Sequence, residues 1–264
     1  MTRKIIHALS FKVIILLCCG LSFAQQNGKS EVLSVGETLT YEGKMNKAIL
    51  RGISVADINF TLERAADGKD YLIKTEANSK GSLTKLFGFK FHQSFQSIVE
   101  AENFRVLKTT KRDEQGERVR DSEAVFDYAD RRVTFTESNP NDPMRPPRRI
   151  ASAITESTQD LISGIYTLRH LPLAVGKTFQ IAVSDSGLVY KIPVRVTARE
   201  QQNTVLGKVW CFRVEPEVFG TNRVIERKGT MTIWIMDDAR RIPVRAQIDT
   251  DGYRIEVKLK KFAR

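Results

Sequence analysis

The stretch that decides the fold is Ile242-Pro243-Val244-Arg245-Ala246-Gln247-Ile248-Asp249-Thr250-Asp251-Gly252-Tyr253-Arg254-Ile255-Glu256-Val257-Lys258-Leu259-Lys260. Ile242, Val244, Ala246 and Ile248 alternate with Pro243, Arg245 and Gln247. After Asp251-Gly252, the residues Tyr253, Ile255, Val257 and Leu259 alternate with Arg254, Glu256, Lys258 and Lys260. Successive side chains of a strand project to opposite faces, so both runs read as strands with one apolar and one polar face. An Asp-Gly pair between such runs is a hairpin turn signal. The outward Lys and Arg of the last run either blunt a sheet edge or solvate one face.

The same pattern extends in both directions. Upstream lie Thr230–Met236, Val209–Val214, Val189–Val196 and Phe179–Val183, the last closed by the turn Ser184-Asp185-Ser186-Gly187. Nearer the N-terminus, Leu39 and Tyr41, then Ile58, Phe60 and Leu62, then Tyr71–Ala77 repeat it around Asp67-Gly68. Further strands are expected at Ser94–Val99, Val106–Lys111, Ala124–Tyr128 and Arg132–Thr136, with Lys111–Arg120 as a charged turn.

Three segments break the period. Gly81–Phe91 spaces Leu83, Leu86 and Phe87 as a short helix, after which Phe89 and Phe91 alternate. It reads as a plug for one end of the sheet or as the mouth of an apolar cavity. Ser138–Arg149 contains Pro140, Pro143, Pro146 and Pro147, which have no N–H for a ladder, so an exposed loop is expected. Thr158–Leu171 is the clearest helix. Leu161, Ile165 and Leu168 form a stripe widened by Ile162 and Tyr166, Ser157 and Asp160 offer capping groups, and Pro172 ends it. An amphipathic helix among strands has only a sheet to pack on. The expected fold is therefore mainly β: a curved antiparallel sheet, partly open barrel or two-sheet meander, with one long helix packed on it.

The composition agrees with a globular chain: 264 residues, 41% hydrophobic, 28% charged, formal net charge +11. Met1–Ala24 reads as a secretory signal peptide. Arg3, Lys4 and Lys12 precede the apolar run Val13–Cys19, which is too short to span a bilayer, and Ser22-Phe23-Ala24 places cleavage before Gln25. An uncleaved anchor, or a lipid on Cys18 or Cys19, is the alternative. Cleavage leaves Cys211 as the single cysteine, so an exported chain depends on its hydrophobic core rather than on an internal disulfide. The expected organisation is residues 1–24 signal peptide, 25–34 flexible, and 35–264 one β-rich domain, in the periplasm or secreted and not membrane-spanning. A basic exported protein is placed to meet a lipid, an anionic envelope polymer or an envelope protein rather than nucleic acid, although a solvated surface is the preferred reading of the charge itself.

Several stretches have a familiar wording. Ser157-Thr158-Gln159-Asp160-Leu161-Ile162-Ser163-Gly164-Ile165-Tyr166-Thr167-Leu168-Arg169, followed by Leu173–Lys177, resembles a family of uncharacterised exported bacterial proteins catalogued as domain of unknown function 3108. Gly36–Tyr41 is similar to its opening strand and Trp234–Val244 to its closing hairpin, so the likeness runs from about Val35 to Leu259. The resemblance implies a β-rich envelope domain and no assigned activity.

Catalytic and metal-binding patterns do not emerge, and no cofactor is expected. His92 and His170 are the histidines left after cleavage, read as surface or capping groups. Asp237 and Asp238 suit turn chemistry with Arg240 or Arg241. Cys211 reads as an inert buried thiol, and Trp210 and Trp234 as core or sheet-face aromatics. The candidate ligand-binding residues are the apolar set Leu83, Leu86, Phe87, Phe89 and Phe91, and the basic set Arg145, Arg148 and Arg149. They point to a non-enzymatic envelope protein binding an amphipathic ligand or a partner. The alternatives are an assembly adaptor acting through the basic loop, and a hydrolase built from His92, His170 or the aspartate pair.

Overall fold

The computed structural model describes residues 32–47 and 50–264. The expected signal peptide, and residues 25–31 of the expected flexible stretch, lie outside the described residues. Val32–Ser34, the remainder of that stretch, are packed: Leu33 is buried against the core.

The described chain is a long, almost entirely antiparallel meander. Its first half runs β1 (Thr38–Lys47), β2 (Leu50–Arg64), β3 (Tyr71–Ser79), α1 (Gly81–Phe87), β4 (Phe91–Val99), β5 (Val106–Gln115), β6 (Arg118–Asp127), β7 (Arg132–Ser138) and β8 (Arg148–Ala153). The second half runs β9 (Gln159–Asp160), α2 (Leu161–His170), β10 (Thr178–Asp185), β11 (Leu188–Thr204), β12 (Gly207–Pro216), β13 (Gly229–Met236), β14 (Pro243–Thr250) and β15 (Tyr253–Ala263). All fifteen strands belong to one open sheet, ordered β8-β7-β6-β5-β4-β3-β2-β1-β15-β14-β13-β12-β11-β10-β9. It is mainly β and does not close into a barrel. The two halves join where β1 pairs with β15. The last strand is therefore central, and its Lys and Arg solvate a face rather than blunt an edge.

Three boundaries differ from the expectations. The charged segment Lys111–Arg120 turns only at Gly116-Glu117: β5 and β6 pair through the rest of it down to Gln115↔Arg118. Charges on both faces hid the strand period, while the ladder itself needs only backbone groups. The proline-rich loop stops at Pro147, and Arg148 and Arg149 begin the edge strand β8. The helix begins three residues later than expected because Thr158–Asp160 stay extended. Asp160, not Ser157, is the N-cap: its side chain accepts from the Ile162 and Ser163 backbone N–H groups, and the Ser163 hydroxyl returns a capping bond.

α2 is buried on most of its circumference, because the sheet curls around it. Leu168 joins the β10–β13 core containing Val194, Val214 and Ile235. Ile162 and Tyr166 join the β2–β7 core containing Leu62, Ile73 and Val99. Each fully buried aliphatic side chain of this kind contributes about 1.5–3 kcal/mol. A third cluster packs Leu39, Tyr41, Cys211, Trp234 and Leu259. Trp210 stays 45% exposed on the sheet surface, with the Arg199 guanidinium 4.4 Å from its ring. Among the described residues, no helix is long and apolar enough to cross a membrane.

Candidate functional site

Strand register places the residues of β4–β8 in rows across the face that looks toward α2. Directly paired residues of an antiparallel sheet share a face. The first row is Ser97, Thr109, Ala124, Phe135 and Ile150. The next is Phe95, Lys111, Ser122, Glu137 and Arg148. The outermost is Gln93, Asp113 and Arg120. The face thus grades from apolar at its floor to charged at its rim.

The opposite wall is the start of α2 and the tip of the β10–β11 hairpin. Two contacts pin that wall to the sheet. The Ser97 and Thr109 hydroxyls donate to one oxygen of the buried Asp160 carboxylate at 2.5 and 2.6 Å, while the other oxygen accepts the two cap N–H groups. At the hairpin tip, the Ser152 hydroxyl donates to the Gly187 carbonyl at 2.6 Å. Ser186 and Gly187 both have positive φ, 51° and 83°, which matches the twist of a two-residue hairpin turn. A Cβ on Gly187 would lie 2.7 Å from Ile150 Cβ and 2.8 Å from Phe135 Cβ, so only glycine fits.

Between the pins and the rim lies a cavity of about 120 Å³. Ala124, Phe126, Phe135 and Leu161 form its apolar side; Lys111, Arg120, Glu137 and Asp185 form its charged side. Asp113 is buried but satisfied, accepting from Gln93 Nε2 at 2.7 Å and Gln115 Nε2 at 3.1 Å, with Arg118 at 3.6 Å. Lys111, Arg120, Glu137 and Asp185 are half-buried, and their hydrogen bonds are few: Arg120 Nη1 donates to the Val119 carbonyl at 2.8 Å, and Ser186 hydrogen-bonds the Asp185 carboxyl. Among the described residues none of the four has an oppositely charged group within 4.0 Å. Lys111 Nζ instead sits 4.8 Å from the Phe95 ring centroid. Burial raises the Asp185 carboxyl above the ordinary carboxylate range, and the Lys111 charge opposes that rise.

A family model, "Protein of unknown function (DUF3108)", matches residues 38–258, a span that contains every wall of this cavity. The chain belongs to the DUF3108 family. Among solved structures, the DUF3108 chain is similar to the crystal structure of a beta-barrel-like protein of domain of unknown function DUF1849 from Brucella abortus. The TM-score is 0.58 at 11% identity, covering 86% of this chain and 97% of that one, which shows a shared fold. A Bacteroides fragilis protein of YmcC-like fold matches at TM-score 0.34 and 11% identity over 88% of this chain and 97% of that one. No curated protein matches.

In this DUF3108 domain the expected ligand residues fall into separate places. Leu83 is buried against Val55 and Ala56, with Phe87 and Phe91 packed beside it, while Leu86 and Phe89 are exposed. None of the five lines the cavity. Arg145 is in the exposed loop. Arg149 pairs with Thr136 on the outer face, whereas Arg148 pairs with Glu137 and joins the rim row. The expected catalytic groups are not brought together. His92 contacts Asn78 and Glu76 on β3, and His170 packs 4.9 Å from the Phe104 ring, its basicity lowered by burial and then by Arg169. Asp237 pairs with Arg199 and Arg241, and Asp238 with Arg240, as turn chemistry requires. Lys111, Arg120, Glu137 and Asp185 escaped the sequence reading. Their signal was period-two spacing of Thr109, Lys111 and Asp113 opposite Arg120, Ser122 and Ala124, which marks a strand pair with a polar inner face.

Proposed function

We propose that this DUF3108 protein is an exported, non-enzymatic component of the cell envelope that binds a charged, amphipathic ligand in the cavity between β4–β8 and the β10–β11 tip. The observation that supports it is the set of four charged side chains lining a partly enclosed wall without ion-pair partners among the described residues. Charges drawn partly out of water gain from a partner, so a wall that leaves four half-buried charges without an ion pair is suited to receive charges from outside. The leader pattern at residues 1–24 supports export to the periplasm or beyond. The separate partners of His92, His170 and the aspartate pair favour binding over hydrolysis.

Native mass spectrometry of protein gently released from its envelope tests the reading. A bound small mass, retained by the native protein and lost from the Lys111→Met, Arg120→Met double variant, is the expected result. Identical ligand-free spectra for both would overturn it.

An adaptor role has its own supporting observation. β8 is an edge strand, and its Arg148 and Arg149 have no acidic partner within 4.0 Å among the described residues. Charge reversal at Arg145, Arg148 and Arg149 should then abolish capture of an envelope protein, and unchanged capture would exclude this role.

A further inference from the structure

The two tiers of the cavity, charges of both signs above a small apolar floor, restrict what can fill it. The geometry points to a zwitterion with a compact apolar body, namely an α-amino acid with a branched or aromatic side chain. The inference rests on the proposal that this cavity is the binding site.

Size argues first. An engineered apolar void of about 150 Å³ accepts benzene. A cavity of about 120 Å³ therefore accepts a side chain of the leucine class, and is too small to enclose a drug-sized ligand, which needs roughly 300 Å³ or more. The floor formed by Ala124, Phe126, Phe135 and Leu161 has the matching polarity.

Charge argues second. Lys111 and Arg120 offer a carboxylate a point charge and a planar fork. Glu137 and Asp185 offer an ammonium group two acceptors. A plain carboxylic acid would answer the cations and leave the two carboxylates opposing it, and a plain amine would do the reverse. A zwitterion answers both sets, in a partly enclosed site where such contacts are screened less than on an open surface. Asp160 takes no part, because its two oxygens already accept four hydrogen bonds.

The test is calorimetric titration of the exported protein with five probes. They are L-leucine, 4-methylpentanoate (leucine without its ammonium), 3-methylbutylamine (leucine without its carboxylate), glycine and inorganic phosphate. Leucine should bind at least about tenfold more tightly than each of the others, about one decade being the least that loss of a useful contact should give. Lys111→Met should weaken leucine and not the amine. Glu137→Gln should weaken leucine and not the acid. Equal binding of leucine and 4-methylpentanoate, or of leucine and glycine, would overturn the inference, as would silence of all five. If a mass co-purifies as described above while leucine is silent, only the ligand class falls. If neither is seen, the site falls with it.

Discussion

Arg169 and Glu37, 132 residues apart, form a fully buried two-pronged ion pair: Nη2 donates to Oε2 at 2.9 Å, and Nη1 donates to Oε1. The same guanidinium donates to the Val32 carbonyl at 2.8 Å and the Arg240 carbonyl at 3.0 Å. One side chain near the end of α2 thus ties together the approach to β1 and the β13–β14 turn. Removing one partner of a buried pair strands the other charge, at a cost of about 3–5 kcal/mol. Arg169→Met should lower stability by that amount in urea denaturation. The double variant with Glu37→Leu should recover part of it, because no charge is then left buried. A single variant within about 1 kcal/mol of the native protein, a size typical of exposed pairs, would show that the pair is not desolvated.

Gly187 and Gly207 provide a matched comparison. Both have left-handed φ, 83° and 91°, but a Cβ at Gly207 meets nothing within 4 Å, whereas one at Gly187 enters Ile150 and Phe135. Gly207→Ala should cost only the left-handed penalty, about 1–2 kcal/mol. Gly187→Ala should add about 1–3 kcal/mol of overpacking and spread the hairpin tip from β8. Thermal melting of the two variants checks this; equal melting points would mean that the tip does not rest on the sheet.

The strands were legible wherever one face was apolar, as in Ile242–Leu259, because burial of that face imposes the period. β5 and β6 were legible only in part, as Val106–Lys111 and Ala124–Tyr128; the ends that meet at their turn were not, since Lys111, Asp113 and Arg120 put charge on the face that a period-two reading assigns to the core. The cavity is made from those same residues, so what obscured the strands also obscured the site. Asp160 was readable as a capping group, but its bonds to Ser97 and Thr109 span 63 and 51 residues, and no local pattern reports such distances. The Phe-rich insertion reads as greasy in sequence, yet it spends Leu83 on local packing with Val55 and Ala56.

Asp160 combines a helix cap with a tertiary pin, so its replacements should be graded. Asp160→Ala loses the cap, worth about 0.5–2 kcal/mol, and leaves the Ser97 and Thr109 hydroxyls buried without an acceptor, at about 1–3 kcal/mol each. Asp160→Asn keeps one acceptor oxygen, enough for the cap or the hydroxyls but not for both, and should fall between. Denaturant titration of both variants measures the order. An alanine variant no worse than asparagine would mean that the hydroxyls find other partners.

Cys211 gives a pH-dependent prediction. It is fully buried, and burial first, then Asp238, Glu200 and Asp237, pushes its thiol up to about 12. An unfolded thiol ionises near about 8.5. Between those values the unfolded chain loses a proton that the folded chain retains. The contribution to stability is therefore whole below about pH 8.5 and declines as pH rises, at about 1.4 kcal/mol per pH unit. The stability difference between the native protein and Cys211→Ala should shrink by about 2 kcal/mol between pH 8 and pH 10, a comparison in which the lysines and tyrosines common to both cancel. Thiol labelling should follow global unfolding, with the native protein unreactive at pH 8. A constant difference across that range, or prompt labelling of the folded protein, would show that solvent reaches the sulfur.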